Sequence, residues 1–338
     1  MSGRERVFSV LSGKAPERRP FSALLSLYGA RLIQCPLREF YADSKKYVQG
    51  QCAALETFGL DVIFAPFAMA LFGEAFGGEA GYLEDQAPNL YRPAIPSAEH
   101  LDELKVPDVD SHPGLLFFRE AIRGLKKSKG EEAALAAILP GPADLPILLM
   151  GLEAWLDTLL ANPDGTRRTL DLTTPFFLKL ARAFVEDGAD ALVLPAALMT
   201  RAVGSPGIVD EVALPVLRDA LEELRAPVIV HHVGGRFRKY LDRVARLPFL
   251  AAVVPDPRDD PLEAKKILPE ETAVVCGPDA GGLPAASPRE VEDECRKLLE
   301  IFREEPRFIL ATTGADVPLE TEPDRIHAMR KTVEAHEL

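Results

Sequence analysis

Two adjacent histidines, His231 and His232, stand in the segment PVIVHHVGG, which runs from Pro227 to Gly235. Three β-favouring residues precede them and two glycines follow, so the segment predicts a short buried strand whose carboxyl end opens into a site. Imidazoles in such a place serve as acid–base groups or metal ligands. Neighbouring side chains of a strand point to opposite faces, so only one of the two is expected to face a central cavity. The competing interpretation is a structural histidine beside a tight turn.

Other side chains that bind ligands or move protons follow other predicted strands. Each stands at or just after a strand end, or in the long loop after the second strand. They are Tyr28, Arg31, Phe67, Glu74, Asp256, Cys276, Asp279 and Asp316. If the strands form a parallel barrel, their carboxyl ends meet at the face where active sites lie. The sequence then predicts one polar cavity suited to acid–base or metal chemistry, although Asp256 and Asp279 also suit helix caps and turns.

Composition limits the class of protein. The 338 residues carry a net charge of −13, which argues against a nucleic-acid groove or an anionic membrane surface as the main partner. The four cysteines show no CxxC spacing, so reduced, buried thiols are expected. No secretion signal and no run of 18 apolar residues is visible, and we expect a soluble cytoplasmic protein of undefined oligomeric state.

The elements that must position these residues alternate between strand and helix. Eight β-type segments are predicted, at about residues 21–26, 61–67, 133–141, 189–196, 227–235, 251–256, 272–279 and 307–314. Helical patterns separate them, and Ser287 and Glu290 predict a capping box at the start of one helix. Such alternation favours parallel strands. We predict a single (β/α)8 barrel domain over residues 1–338, with a hairpin-bearing loop at about 68–96 over the barrel mouth.

Several segments resemble the uroporphyrinogen decarboxylase superfamily and, within it, the corrinoid-dependent methyltransferases. They are RERVFSVLSGKAPERRP, FGLDVIFAPF, LFGEAFGG, PGPADLPILLMG, EDGADALVLPA, PVIVHHVGG and ILATTGADVPLETEPDRIHAM. The resemblance covers nearly the whole chain in order, and it implies the same barrel fold. It also implies a corrinoid (cobalamin) as methyl carrier, usually held on a separate small protein.

Two differences from the decarboxylases indicate which branch of the superfamily this chain resembles more closely. The decarboxylases carry an arginine-rich segment after the first strand and an Asp at the end of the second. This chain has LYGAR, with Arg31 alone, and Phe67-Ala68 at the Asp position. A tetrapyrrole with many carboxylates would lack its partners, so the sequence is closer to methyltransferases such as the methylcobamide:coenzyme M enzymes.

The thiol-methylating relatives bind zinc through an H-x-C pair and a second Cys. Here His231 is present, but Val233 and Ala315 stand at the two Cys positions, and neither side chain coordinates a metal. Cys276 would substitute only in a rearranged site. The nitrogen and oxygen groups of His232, Glu74 and Asp316 remain as harder ligands for a zinc serving a non-thiol substrate.

Three functions follow from the sequence. The first is a methyltransferase that moves a methyl group between a corrinoid and a methoxylated or methylated compound, or a pterin. His231, His232 and Glu74 are its candidate catalytic groups, with His231 favoured because it matches the family position. The second is a decarboxylase-type lyase. The third is a member that binds a corrinoid or tetrapyrrole without turning it over.

Overall fold

The computed structural model describes residues 1–236 and 238–336, so residues 237, 337 and 338 of the predicted domain lie outside the described part. The strands in chain order are β1 (Phe21–Ser22), β2 (Val62–Phe64), β3 (Glu79–Gly81), β4 (Asn89–Arg92), β5 (Ala134–Ile138), β6 (Ala191–Pro195), β7 (Val228–His231), β8 (Leu250–Val254), β9 (Ala273–Cys276) and β10 (Phe308–Ala311). Most of the predicted strands are shorter here, because the segments that follow them curve away to form the mouth.

Eight of these strands form one parallel sheet in the order β1-β10-β9-β8-β7-β6-β5-β2. Its two edge strands, β1 and β2, lie side by side. The Asp61 N–H donates to the Phe21 carbonyl at 2.8 Å, and the Ser22 hydroxyl donates to the Val62 carbonyl at 3.1 Å. The sheet therefore closes on itself, and the predicted (β/α)8 barrel is confirmed.

The α-helices of the described residues surround this barrel. They are α1 (Gly3–Leu11), α2 (Tyr28–Leu32), α3 (Leu37–Phe40), α4 (Ser44–Phe58), α5 (Ala70–Ala75), α6 (Pro113–Lys129), α7 (Leu145–Met150), α8 (Leu152–Ala161), α9 (Pro163–Glu186), α10 (Pro206–Ile208), α11 (Leu214–Leu224), α12 (Leu241–Val244), α13 (Pro261–Ile267), α14 (Pro288–Ile301) and α15 (Pro323–Ala335). The capping box of Ser287 and Glu290 is confirmed at the start of α14. Within residues 1–236 and 238–336, no helix combines the length and the apolar character needed to cross a membrane.

The long segment after β2 contains more structure than a loop. It begins with α5, and β3 and β4 then pair antiparallel. Gly73 lies against the Leu90 side chain, where an added Cβ would come within 3.0 Å of that leucine, so the hairpin packs closely on α5.

Helix α1 covers the amino-terminal end of the barrel. Its Val7 and Val10 pack on strand residues that point into the lumen. Its buried Arg6 also reaches Asp61, the residue before β2. Arg18 binds the same carboxylate with two nitrogens, at 2.7 and 3.1 Å, and the Phe21 N–H donates to it at 2.7 Å. One buried carboxylate thus joins α1, β1 and β2.

We expect Asp61→Ala to lower the free energy of unfolding by about 3–5 kcal/mol, because it removes the buried carboxylate and leaves the half-exposed Glu17 as the remaining counter-charge of the buried Arg6 guanidinium. Urea unfolding at neutral pH measures the effect. The matched control is Glu17→Ala, which removes a half-exposed partner of the same arginine and should cost only about 0–1 kcal/mol. Equal small losses in both variants would contradict the assigned role of Asp61.

Candidate functional site

The paired histidines follow the strand register at the end of β7. His231 is the last strand residue and lies level with Pro195 of β6 and Val254 of β8. Its ring lines the central cavity of the barrel. His232 comes after the strand, is 1% exposed and is absent from that lining. The two rings stack with centroids 4.6 Å apart.

The environment of His231 holds it neutral. Its Nδ1 accepts the Val233 N–H at 3.0 Å, so Nε2 carries the proton of the neutral ring. Burial, followed by the neighbouring His232, lowers the pKa of His231 to about 3. At neutral pH this side chain is therefore an uncharged N–H donor, and a hydrogen bond with the Gly314 backbone partly opposes the lowering of its pKa.

The second ring, that of His232, has a structural role, because both of its nitrogens contact neighbouring groups. Its Nδ1 lies 3.4 Å from an Asp256 oxygen and 3.0 Å from the Gly234 nitrogen, while its Nε2 lies 3.3 Å from the Gly314 nitrogen. A neutral imidazole has one donor and one acceptor nitrogen, so it cannot accept both backbone N–H groups. Protonation at Nδ1 satisfies both Asp256 and Gly314, and we assign that tautomer. Burial lowers the pKa of His232, and the carboxylate of Asp256 opposes this.

An arginine completes this arrangement. Arg258 donates two hydrogen bonds to the buried Asp256 carboxylate, from Nε at 2.7 Å and from Nη2 at 2.5 Å. This pairing lowers the pKa of Asp256. The same guanidinium donates to the Gly234 carbonyl at 2.9 Å. Asp256 and Arg258 therefore hold both His232 and the turn that follows it.

That turn is strained at a non-glycine residue. Val233 has φ of 49°, in the left-handed region, where a β-branched side chain is rare, and Gly234 follows at 72°. The Val233 side chain is consequently placed at the barrel mouth, 44% exposed and bordering the cavity. Ala315, the other position where thiol-methylating relatives carry Cys, also borders the cavity and is exposed.

Below His231 the barrel lumen contains a cavity of about 320 Å³. Its wall is almost entirely hydrocarbon, from residues that alternate into the lumen along the strands. Those on the strands include Val62, Phe64, Ala134, Ala136, Ile138, Ala191, Val193, Ile229, Ala252, Val254, Val275, Ile309 and Ala311. The sequence analysis did not predict this apolar lining. Small residues at alternate strand positions, such as Ala134 and Ala136, could have indicated it.

The other predicted site residues are dispersed. Phe67 lines the cavity. Asp279 is exposed beside Gly314, and its charge acts on His232 to raise its pKa, against the larger effect of burial. Tyr28 and Arg31 instead donate to the Thr321 carbonyl, at 2.7 and 2.8 Å, and so hold the segment after β10.

Glu74 and Asp316 also lie outside the cavity lining. Glu74, on α5, has a pKa raised by burial and partly lowered again by nearby His112. Asp316 is buried and accepts the Leu27 N–H at 2.8 Å, and burial raises its pKa well above the ordinary value. The lining therefore does not bring the histidines and the acidic residues into one polar cavity, since His232, Glu74, Asp256, Asp279 and Asp316 are absent from it.

Cys276, expected as a possible metal ligand, also does not face the lumen. Strand alternation places its neighbour Val275 in the lumen and Cys276 in the core between barrel and helices. Burial there raises the pKa of the Cys276 thiol far above its ordinary value, so a thiolate is disfavoured.

Comparison with known proteins places this barrel in a family. The profile described as uroporphyrinogen decarboxylase (URO-D) matches residues 2–336. The methylcobamide:CoM methyltransferase MtbA of Methanosarcina mazei is 26% identical over 203 residues, which cover 58% of this chain and 59% of that protein, under two thirds of its length. The methylcobamide:CoM methyltransferase MtaA of Methanosarcina barkeri is 22% identical over 280 residues, covering 80% and 81%.

A solved structure described as a methyltransferase from Methanosarcina mazei superposes with a TM-score of 0.87, covering 99% of this chain and 98% of that one. At 17% identity it shows a common fold. Both relatives matched in sequence are named as methylcobamide:CoM methyltransferases. Because the profile matches nearly every residue and the closed barrel agrees with it, the chain belongs to the uroporphyrinogen decarboxylase family.

Proposed function

We propose that this protein is a methyltransferase that moves a methyl group between a small molecule in the barrel lumen and a corrinoid at the mouth. The carrying observation is an apolar cavity whose upper end is marked by one neutral N–H donor, that of His231. Its relatives' names, which specify methylcobamide as methyl carrier, support the choice of corrinoid. A separate corrinoid-binding protein is the proposed partner.

The size of the lumen sets where the two reactants meet. At about 320 Å³ it lies at the lower end of ligand pockets, which span roughly 300–1,000 Å³. It suits a small molecule and is too small for a corrin macrocycle with its side groups. When bound, the corrinoid supplies the methyl donor or acceptor. Val233 and Ala315 at the mouth offer it an uncharged, exposed contact.

The residues present do not fit a zinc ion. Among residues 1–236 and 238–336, no group of three His, Cys, Asp or Glu side chains is arranged to hold a metal. His231 would be joined at the family positions only by the hydrocarbon side chains of Val233 and Ala315. The proposed reaction therefore uses no zinc-activated thiolate.

The role left to His231 is orientation and charge stabilisation. A methyl group transferred to a nucleophile leaves its bonding electrons on the atom that carried it. The Nε2–H of His231 would stabilise that developing negative charge by a hydrogen bond, and its fixed position would hold the methyl group in line with the mouth. His232, Asp256 and Arg258 act as positioning residues for this turn.

The residues that line the lumen also argue against decarboxylase activity. No arginine or lysine occurs among the described residues of its lining. A carboxylated substrate would lose its hydration without gaining a counter-charge.

Replacing His231 tests the proposal. We expect His231→Gln to slow methyl transfer from a panel of methoxylated compounds to free cob(I)alamin by about a hundredfold, with the fold intact by circular dichroism. The absorbance of cobalamin reports the rate. His100→Gln, in the short helix Ala98–Glu103 away from the cavity, is the matched control and should keep full activity. A folded His231→Gln protein with normal rates would remove His231 from the mechanism.

Elemental analysis tests the metal assignment. After dialysis we expect well under one zinc per chain and no methylation of a thiol by methylcobalamin. The double variant Val233→Cys with Ala315→Cys restores the ligand types of the thiol-methylating relatives beside His231, and it should gain zinc. One tightly bound zinc per unmodified chain, together with thiol methylation, would show this assignment to be wrong.

A further inference from the structure

An open groove runs along the outside of the barrel between α9 and α11. Its volume is about 720 Å³, more than twice that of the lumen. Its floor is apolar and includes Leu170, Leu178 and Val216, of which Leu170 and Val216 are only partly buried. An apolar floor that remains accessible and is rimmed by polar residues is typical of a protein-interaction surface.

The rim of this groove is acidic. Five acidic side chains line the groove, against two basic ones, Lys179 and Arg182. The acidic side chains are those of Asp110, Asp171, Glu186, Asp219 and Glu223. Both basic side chains are already paired within the rim, since Lys179 lies 2.9 Å from Asp110 and Arg182 lies 2.5 Å from Glu223. The other three carboxylates are therefore in excess.

These three carboxylates have weak partners or none within the described residues. Asp171 and Asp219 contact exposed arginines of their own helices, Arg167 at 3.3 Å and Arg218 at 3.7 Å. Glu186 is exposed and forms no salt bridge with any residue that the structure describes. Surface pairs of this kind contribute little, so the rim retains its negative charge for a partner.

One backbone group adds to the negative charge of the rim. Pro175 lies inside α9 and lines the groove. Because proline has no N–H, the carbonyl of Asp171, four residues earlier, lacks its helical donor. A carbonyl oxygen without a donor favours a cationic side chain that lies along the groove.

A basic segment flanks the other side of α11. It consists of the turn Arg238–Tyr240, α12 and the two residues that follow. It has four basic side chains against one acidic one, that of Asp242. The basic side chains are those of Arg238, Lys239, Arg243 and Arg246.

Contacts and exposure both make this basic segment suitable for docking. Arg243 pairs at 2.6 Å with Asp210, in the π-helical turn directly before α11, so the segment lies beside that helix. Lys239 and Arg246 are exposed, and neither forms a salt bridge within the part of the chain that the structure describes. Their charges are consequently available to a partner.

We propose that this protein forms a two-fold symmetric dimer in which the basic segment of each copy binds the acidic groove of the other. The two surfaces lie on either side of α11, so a two-fold axis between them brings each surface onto its complement. Lys239 and Arg246 of one copy place their hydrocarbon stems on the apolar floor and their charges at the rim of the other.

Charge complementarity favours a second copy of this chain as the occupant. The chain carries a net charge of −13, so two copies repel each other over most of their surface. Pairing of opposite charges at one place reduces that repulsion, and this chain supplies both members of the pair. Neither surface includes residues that line the lumen, so the inference does not depend on the proposed methyl transfer.

Sedimentation velocity of the full chain tests the dimer. We expect a dimer at about 0.1 M salt, and we expect its dissociation constant to rise by about tenfold or more at about 1 M salt, where charges are screened over about 3 Å. A chain that remains a monomer at low salt up to its solubility limit would overturn the inference.

Charge reversal locates the interface. A groove variant combines Asp171→Lys, Glu186→Lys and Asp219→Lys, and a segment variant combines Lys239→Glu and Arg246→Glu. Each variant alone should be a monomer, because its groove and its basic segment then carry charges of the same sign. An equimolar mixture of the two should form a heterodimer, because each altered surface again meets the opposite charge.

The matched control makes the same change in net charge on the opposite side of the barrel. It combines Asp293→Lys, Glu300→Lys and Glu334→Lys on α14 and α15, where the three carboxylates also have weak, exposed partners. This variant should form a dimer as the unmodified chain does, and circular dichroism checks the fold of all three. A dimer that persists in both reversal variants, or folded variants that do not combine when mixed, would overturn the inference.

Discussion

The barrel depends on one buried carboxylate, that of Asp61. β1 has two residues and β2 has three, so the seam between them is too short to close by strand pairing alone. Asp61 joins the two strands through Phe21 and accepts two arginines, Arg6 from α1 and Arg18 from the connector. A buried carboxylate is tolerated only with such partners. The Asp61 carboxylate therefore couples closure of the barrel to the position of α1 beneath it.

An enclosed lumen follows from that closure, and its chemistry follows from what the strands place inside it. Alanines at inward positions leave space that other barrels fill, while the few polar residues there bind backbone groups or charged side chains. The result is a lumen walled mainly by apolar surface, with His231 at its upper end. An apolar lumen of this kind disfavours ionic ligands, because they would lose their hydration without gaining a counter-charge.

The turn after β7 concentrates the polar features of the site. Val233 adopts a left-handed conformation that its β-branched side chain disfavours. The Val233 N–H donates to His231 Nδ1, and Arg258 donates to the carbonyl of the next residue, Gly234, so the neighbouring structure holds the strained residue in place. The same contacts fix the orientation of His231. The strained Val233, the two histidine rings and the glycines that follow thus belong to one five-residue segment, which Asp256 and Arg258 support.

The sequence by itself determined the barrel, the strand that carries His231 and the hydrocarbon side chains at Val233 and Ala315, because alternation, capping and side-chain chemistry are local properties. The tertiary structure decided the rest. Cys276 points to the helix layer, since a one-residue shift in a strand reverses every side chain. Glu74 does not line the lumen with His231, and the sequence could not show this because the local residue pattern of a long loop does not specify its path. The lumen is lined by small residues from strands that are distant in the sequence. These residues enclose a cavity only when the barrel closes, through contacts such as those of Asp61.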